Sequence, residues 1–181
     1  MSYYIHEFYV QPLTNVYFEM AGALLLWTLL MLLLKGKAGK IVAVTGAVLA
    51  LCLILFFTLA RSSSGVREAP FLIPLNSIGR METNDEMYRS MVMNVALFLS
   101  FGLSLPFALP SGWKHNALLT AAAGLILSAG IEVTQYIRCI GQCDVDDVLM
   151  NTIGVALGCL SYLLVRLVRR LKNKNAERKH R

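Results

Sequence analysis

Glu132, Gln135, Arg138, Asp144, Asp146, Asp147 and Asn151 share one short stretch of a chain that is otherwise strongly apolar. Glu132 and Gln135 stand three apart in Ser128-Ala-Gly-Ile-Glu132-Val-Thr-Gln135, so a helix carries both on one face. Asp144-Val-Asp146-Asp147 packs three carboxylates into four residues, and Asn151 follows Asp147 by about one helical turn. Carboxylates this close repel unless a cation, a metal or a proton comes between them. An arginine, from Arg138 or from Arg61 or Arg67, would build an ion-pair network suited to a phosphate or carboxylate head group. A divalent cation such as Mg²⁺, Ca²⁺ or Mn²⁺ would suit the hard oxygens of Glu132, Asp144 and Asp147. One acid keeping its proton would act as general acid or base beside an ionised partner. The spacing leaves all three open, with the arginine network ordered first and the metal second. It also leaves open whether the protein is an enzyme; Glu132, Asp144 and Asp147 are the candidate catalytic groups.

Two amides extend the set: Asn94, followed on its helical face by Phe98 and Gly102, and Asn76, at the end of Ile73-Pro74-Leu75-Asn76. The plainer account of Asn94, Gln135 and Asn151 is interhelical hydrogen bonding, at about 0.6 kcal/mol per bond in a membrane. No His-x-x-x-His pair or phosphate-cradling glycine loop competes, and His6, His115 and His180 fall away from the acids. Ser62, Ser63 and Ser64 read as a flexible helix exit, and Cys52 and Cys159 as apolar filler. Cys139 and Cys143 are compatible with either a disulfide or two thiols.

These polar groups have to be positioned by membrane helices. Of 181 residues 56% are apolar and 15% charged, with a mean hydropathy of +0.59, whereas soluble domains carry about 25% charged residues. Apolar runs over 18–34, 41–60, 91–109, 117–137 and 148–168 each approach the ~20 residues that cross a ~30 Å hydrocarbon core. They are continuous and not alternating, which predicts an all-α bundle of about five transmembrane helices and not a β-barrel. Residues 1–17 lack Lys and Arg, so the first run reads as a membrane helix and not as a leader.

The net charge of +6 is an orientation signal: eight of the 17 basic residues lie in 166–181, without the aromatic interleaving of a nucleic-acid surface. Placing the N-terminus outside and the C-terminus inside puts twelve Lys and Arg on the cytoplasmic side and five outside. The acids then collect at the outer face, and the basic tail meets anionic membrane lipids.

Gly124, Ser128, Glu132 and Gln135 form a small, polar stripe on the fourth run; Asp147, Asn151, Gly154, Gly158 and Ser161 form another on the fifth. The short connection between the runs predicts that the two stripes face each other. Gly154-x-x-x-Gly158 also offers a seam for a homo-oligomer.

The chain resembles the VanZ-like family of bacterial membrane proteins. The resemblance rests on Pro74-Leu-Asn76, Asn94-Val-Ala-Leu-Phe-Leu-Ser-Phe-Gly102, Ile131-Glu-Val-Thr-Gln135 and Asp144-Val-Asp-Asp147-Val-Leu-Met-Asn151-Thr-Ile-Gly154. Cys139 and Cys143 depart from the family pattern, as does Leu99-Ser100-Phe101, where a proline is usual. The organisation expected is 1–69 with two helices and the start of the outer loop, 70–165 as the VanZ-like domain, and 166–181 as a basic cytoplasmic tail.

The resemblance implies a multi-pass protein of the bacterial plasma membrane whose namesake is linked with teicoplanin resistance. The expected site is an outer polar pocket of Asn76, Asn94, Glu132, Gln135, Arg138, Asp144, Asp147 and Asn151. Its expected ligand is a lipid, a cell-wall precursor or a lipoglycopeptide, with no nucleic-acid partner and no cofactor beyond the candidate divalent cation. The alternative is a membrane enzyme modifying a lipid-linked envelope substrate at the same acids.

Overall fold

The computed structural model describes residues 12–60, 63–66, 69–75, 85–110 and 113–179. Among these residues five helices follow one another: α1 (Leu13–Leu33), α2 (Gly36–Leu59), α3 (Asp85–Ala108), α4 (Trp113–Arg138) and α5 (Val145–Lys179). All five are long and apolar enough to cross a membrane. The α2–α3 and α4–α5 connections share one end of the bundle, which carries the acids. The opposite end carries Lys40 and the basic part of α5.

The helices extend the apolar runs at polar ends. α3 starts at Asp85, and α5 runs without a break from Val145 to Lys179. Residues 166–179 contain no Gly or Pro and several good helix formers, so nothing in them stops the helix. At about 1.5 Å per residue α5 is longer than a hydrocarbon core is thick. The basic tail is therefore the protruding end of α5.

α3 is the most buried of the five helices and α5 is its main partner. Glycines allow their backbones to approach closely. A Cβ on Gly102 would lie 2.2 Å from the carbonyl oxygen of Val155, and one on Gly154 would lie 2.3 Å from that of Val95. A Cβ on Gly158 would meet Gly102, Leu103 and Leu99 backbone at 2.5 Å. The G-x-x-x-G thus seats α5 on α3, which corrects the expectation that its glycines face α4. Both glycines lie against the α3 backbone of the same chain. The helical period puts both on one face without saying which neighbour covers that face. The α4 stripe does reach α5 at Gly124, which faces Val155, and at Ser128, which accepts 2.8 Å from Asn151 Nδ2.

α1 joins the bundle through Thr28, whose hydroxyl donates to Ser161 at 2.8 Å, and through Trp27, which lies against Gly46 of α2. The buried centre gathers Ile54, Phe98, Phe101, Ile131 and Val155. Pro106 lies near the C-terminus of α3, where carbonyls lose their helical partners. Asn116 Nδ2 donates to Pro106 (2.9 Å) and Leu109 (3.2 Å), and Lys40 Nζ donates to the Ala108 carbonyl.

Gly102→Ala and Gly158→Ala should each cost about 1–3 kcal/mol by overpacking the α3–α5 seam. Gly22→Ala, with nothing within 4 Å, should cost nothing. Melting temperatures of the detergent-purified variants check this; equal values for all three would contradict the seam.

Candidate functional site

The acidic end is made by lacing the two connections together. α4 ends in a Schellman turn, in which the Ile140 N–H donates to the Gln135 carbonyl at 3.1 Å and the Cys139 N–H to that of Tyr136 at 3.3 Å. The turn requires positive φ at Cys139, which has φ 52° where glycine is the usual choice. Ile140 is buried beneath it.

The chain beyond this turn pairs with the α2–α3 connection. The Ser64 N–H donates to the Cys139 carbonyl (2.8 Å), the Phe71 N–H to that of Cys143 (2.8 Å), and the Val145 N–H to that of Phe71 (3.0 Å). Phe71 and Asp144 make an isolated parallel bridge, and Gln142 Nε2 donates to the Ala69 carbonyl at 2.9 Å.

Carboxylates complete the lacing. Glu132, 4% exposed, accepts the Asp144 N–H at 2.9 Å. Asp144 Oδ1 accepts the Asp146 N–H at 2.8 Å, next to the first turn of α5. Asp146, 1% exposed, accepts the Leu75 N–H at 2.6 Å, where Leu75 has φ 65°. Asp146 was missing from the expected site because three acids in four residues look equivalent on paper. Only the path of residues 71–75 selects the middle one as the buried anchor.

The expected residues are thus shared out among different partners. Gln135 Nε2 donates to the Thr58 carbonyl at the end of α2 (2.9 Å), and Asn151 bonds Ser128. Asn151 Oδ1 is buried without a hydrogen-bond partner among the described residues. Asn94 is buried on α3, close to the Val95–Gly154 contact. Asp147 lies half-buried in the first turn of α5. Arg138 is exposed at the end of α4 and, among the described residues, forms no ion pair with the acids, so the arginine network expected there is not built by it. Among the described residues no three His, Cys, Asp or Glu side chains stand together so as to hold a metal ion, and Glu132, Asp144 and Asp147 are not gathered as such a group. Asn76, Arg61 and Arg67 lie outside the described residues.

Cys139 and Cys143 are both free thiols. Burial, then the charges of Glu132 and Asp144, push the Cys143 thiol above its ordinary value. Each favours the neutral form, so Cys143 is a poor nucleophile near neutral pH.

The architecture defines a polytopic helical protein of membrane-crossing composition, with one end closed by buried carboxylates acting on backbone N–H groups. The sequence pattern of the VanZ/LLP1 family matches residues 43–166, and the chain belongs to that family. The match takes in much of α2 as well as the motif-bearing region. The chain is also similar to Protein VanZ of Enterococcus faecium, with 38% identity over 76 residues. That similarity covers 41% of this chain and 45% of the relative, so the chain spans less than half the length of the relative it matches. No solved structure matches the chain.

Alkylation of Cys143 in a Cys139→Ser background should titrate above the ordinary thiol range. Glu132→Gln removes one of the charges raising it, so the midpoint should move down. A midpoint that stays or rises in this variant would contradict the electrostatic contact.

Proposed function

We propose that this chain is a plasma-membrane protein of the bacterial envelope whose acidic end, facing outward, holds the polar head of an amphiphile, giving a resistance of the teicoplanin type. The observation that carries the reading is the company the acids keep. Leu72, Ile73 and Leu75 are exposed on the segment laced to Asp144 and Asp146. Exposed apolar side chains beside carboxylates suit a ligand with an acyl chain and a polar, hydrogen-bonding head.

An apolar groove supports the same ligand class. It lies between α1 and α2 over α3, in two adjoining parts of about 230 and 360 Å³ that share Ala23, Leu53, Ser100 and Leu103. Its lining includes Phe57, next to the Thr58 whose carbonyl receives Gln135. Glu19 to Leu30 along α1 covers about 16 Å, roughly one leaflet of a ~30 Å core. Family membership and the similarity to Protein VanZ support the resistance role. The outward placement of the acidic end rests on the positive-inside balance.

The carboxylates as placed support binding ahead of catalysis: Glu132, Asp144 and Asp146 accept backbone N–H groups, and Cys143 is held as the thiol. Glu132→Gln keeps an oxygen able to accept the Asp144 N–H while removing the charge, and Asp147→Asn does the same for its position. At normal membrane abundance both variants should lose the teicoplanin protection that expression of the wild type confers on a susceptible bacterium. Protection equal to wild type would show that the acidic end is not its cause.

A further inference from the structure

The bundle end opposite the acids holds a cavity of about 190 Å³ that the reading above does not use. All five helices and the connections between them line it, and among the described residues its cationic side chains are Lys40, Arg166 and Arg169. Among the described residues no Asp or Glu lines it. A volume of this size exceeds that of several waters at about 30 Å³ each, so a tetrahedral oxyanion fits.

The three cations retain unused donors. Arg169 Nη2 donates to the Met31 carbonyl and, at 2.7 Å, to that of Leu34, which closes the C-terminus of α1. Its Nε–H is buried without an acceptor among the described residues. A guanidinium has five donors, so capping a helix does not exhaust it. Lys40 gives one of three N–H groups to Ala108. Arg166 lies over the Tyr162 ring, with Cζ 6.0 Å from the centroid, and among the described residues caps no helix.

Depth identifies the source of an anion. From Val145 to Arg166 α5 rises about 31 Å, close to the ~30 Å thickness of a hydrocarbon core. The cavity therefore sits where lipid phosphates lie. An uncompensated set of positive groups at that level favours an anionic, bidentate-accepting group, and phosphate matches a guanidinium fork in both charge and geometry.

We propose that this cavity binds a phosphate group, carried at this depth by a membrane lipid, through Lys40, Arg166 and Arg169. The site is separate from the cationic side chains further along α5, Lys172, Lys174 and Arg178, none of which lines the cavity. The full chain, purified in detergent, is titrated in native mass spectrometry with phosphatidylglycerol, with diacylglycerol and with inorganic phosphate alone. Wild type should retain one phosphatidylglycerol and no diacylglycerol, and Arg166→Gln and Lys40→Gln should each weaken retention about tenfold, one charge-assisted hydrogen bond's worth. Neutralising Lys172, Lys174 and Arg178 to Gln should leave it unchanged. Arg166→Gln removes no helix cap, so an unchanged melting temperature makes it decisive even if Lys40→Gln fails to fold. Binding of inorganic phosphate alone, lost in Arg166→Gln, would support the site with free phosphate as its ligand. Retention unaffected by Arg166→Gln, equal for diacylglycerol, or lost only on neutralising the α5 extension would overturn the proposal.

Discussion

A backbone N–H shut away from water needs an acceptor, and leaving one bare costs on the order of 1–3 kcal/mol or more. That constraint governs the acidic end. Where α4 turns into α5, the chain leaves helical hydrogen bonding and recovers it only at Val145. Glu132 takes the Asp144 N–H inside that gap, Asp144 takes that of Asp146 in the first turn of α5, and Asp146 takes that of Leu75 in the α2–α3 connection. A carboxylate inside a span is expensive, by about 2.5–3.5 kcal/mol on insertion scales. Glu132 offsets that cost with a charge-assisted hydrogen bond to the backbone, and in doing so fixes the loop that follows it.

The rest of the site inherits this arrangement. With residues 139–145 fixed, they present acceptors and a donor to Ser64 and Phe71, and the described part of the α2–α3 connection is tied down at those two points. Further down, the glycine seam sets the height of α5 against α3, which in turn sets where Asn151 meets Ser128. The exposed Leu72, Ile73 and Leu75 are held out beside the acids because their backbone is anchored on Phe71 and Leu75. At the other end, Asn116, Lys40 and Arg169 perform the equivalent task for the last carbonyls of α3 and α1. Both ends thus use polar side chains to satisfy backbone groups without helical partners, carboxylates accepting from N–H groups at one end and Asn116, Lys40 and Arg169 donating to carbonyls at the other.

Several features could be read from residue type alone. The five spans follow from apolar runs of sufficient length, and Glu132 had to face protein because lipid would not accept it. Gln135 and Asn151 serve as interhelical donors, the plainer of the accounts open to them. Other features depend on which neighbours meet and could not be read locally. Gly154 and Gly158 share a face by period, yet only the packed bundle turns that face to α3. Asp146 outranks its two neighbours because the Leu75 N–H arrives at its carboxylate. Cys139 occupies a left-handed position that sequence rules reserve for glycine, so the Schellman turn carried no signal. Arg138, placed next to the acids by numbering, is exposed at the end of α4 and pairs with none of them among the described residues.

The central claim is that Glu132 holds both connections in place, and not only its own. Hydrogen exchange of segments 63–75 and 139–147 in wild type and Glu132→Ala tests it directly. The account predicts that both segments exchange faster together in the variant, while the α3–α5 seam keeps its protection. Faster exchange confined to 139–147, with 69–75 unchanged, would contradict it.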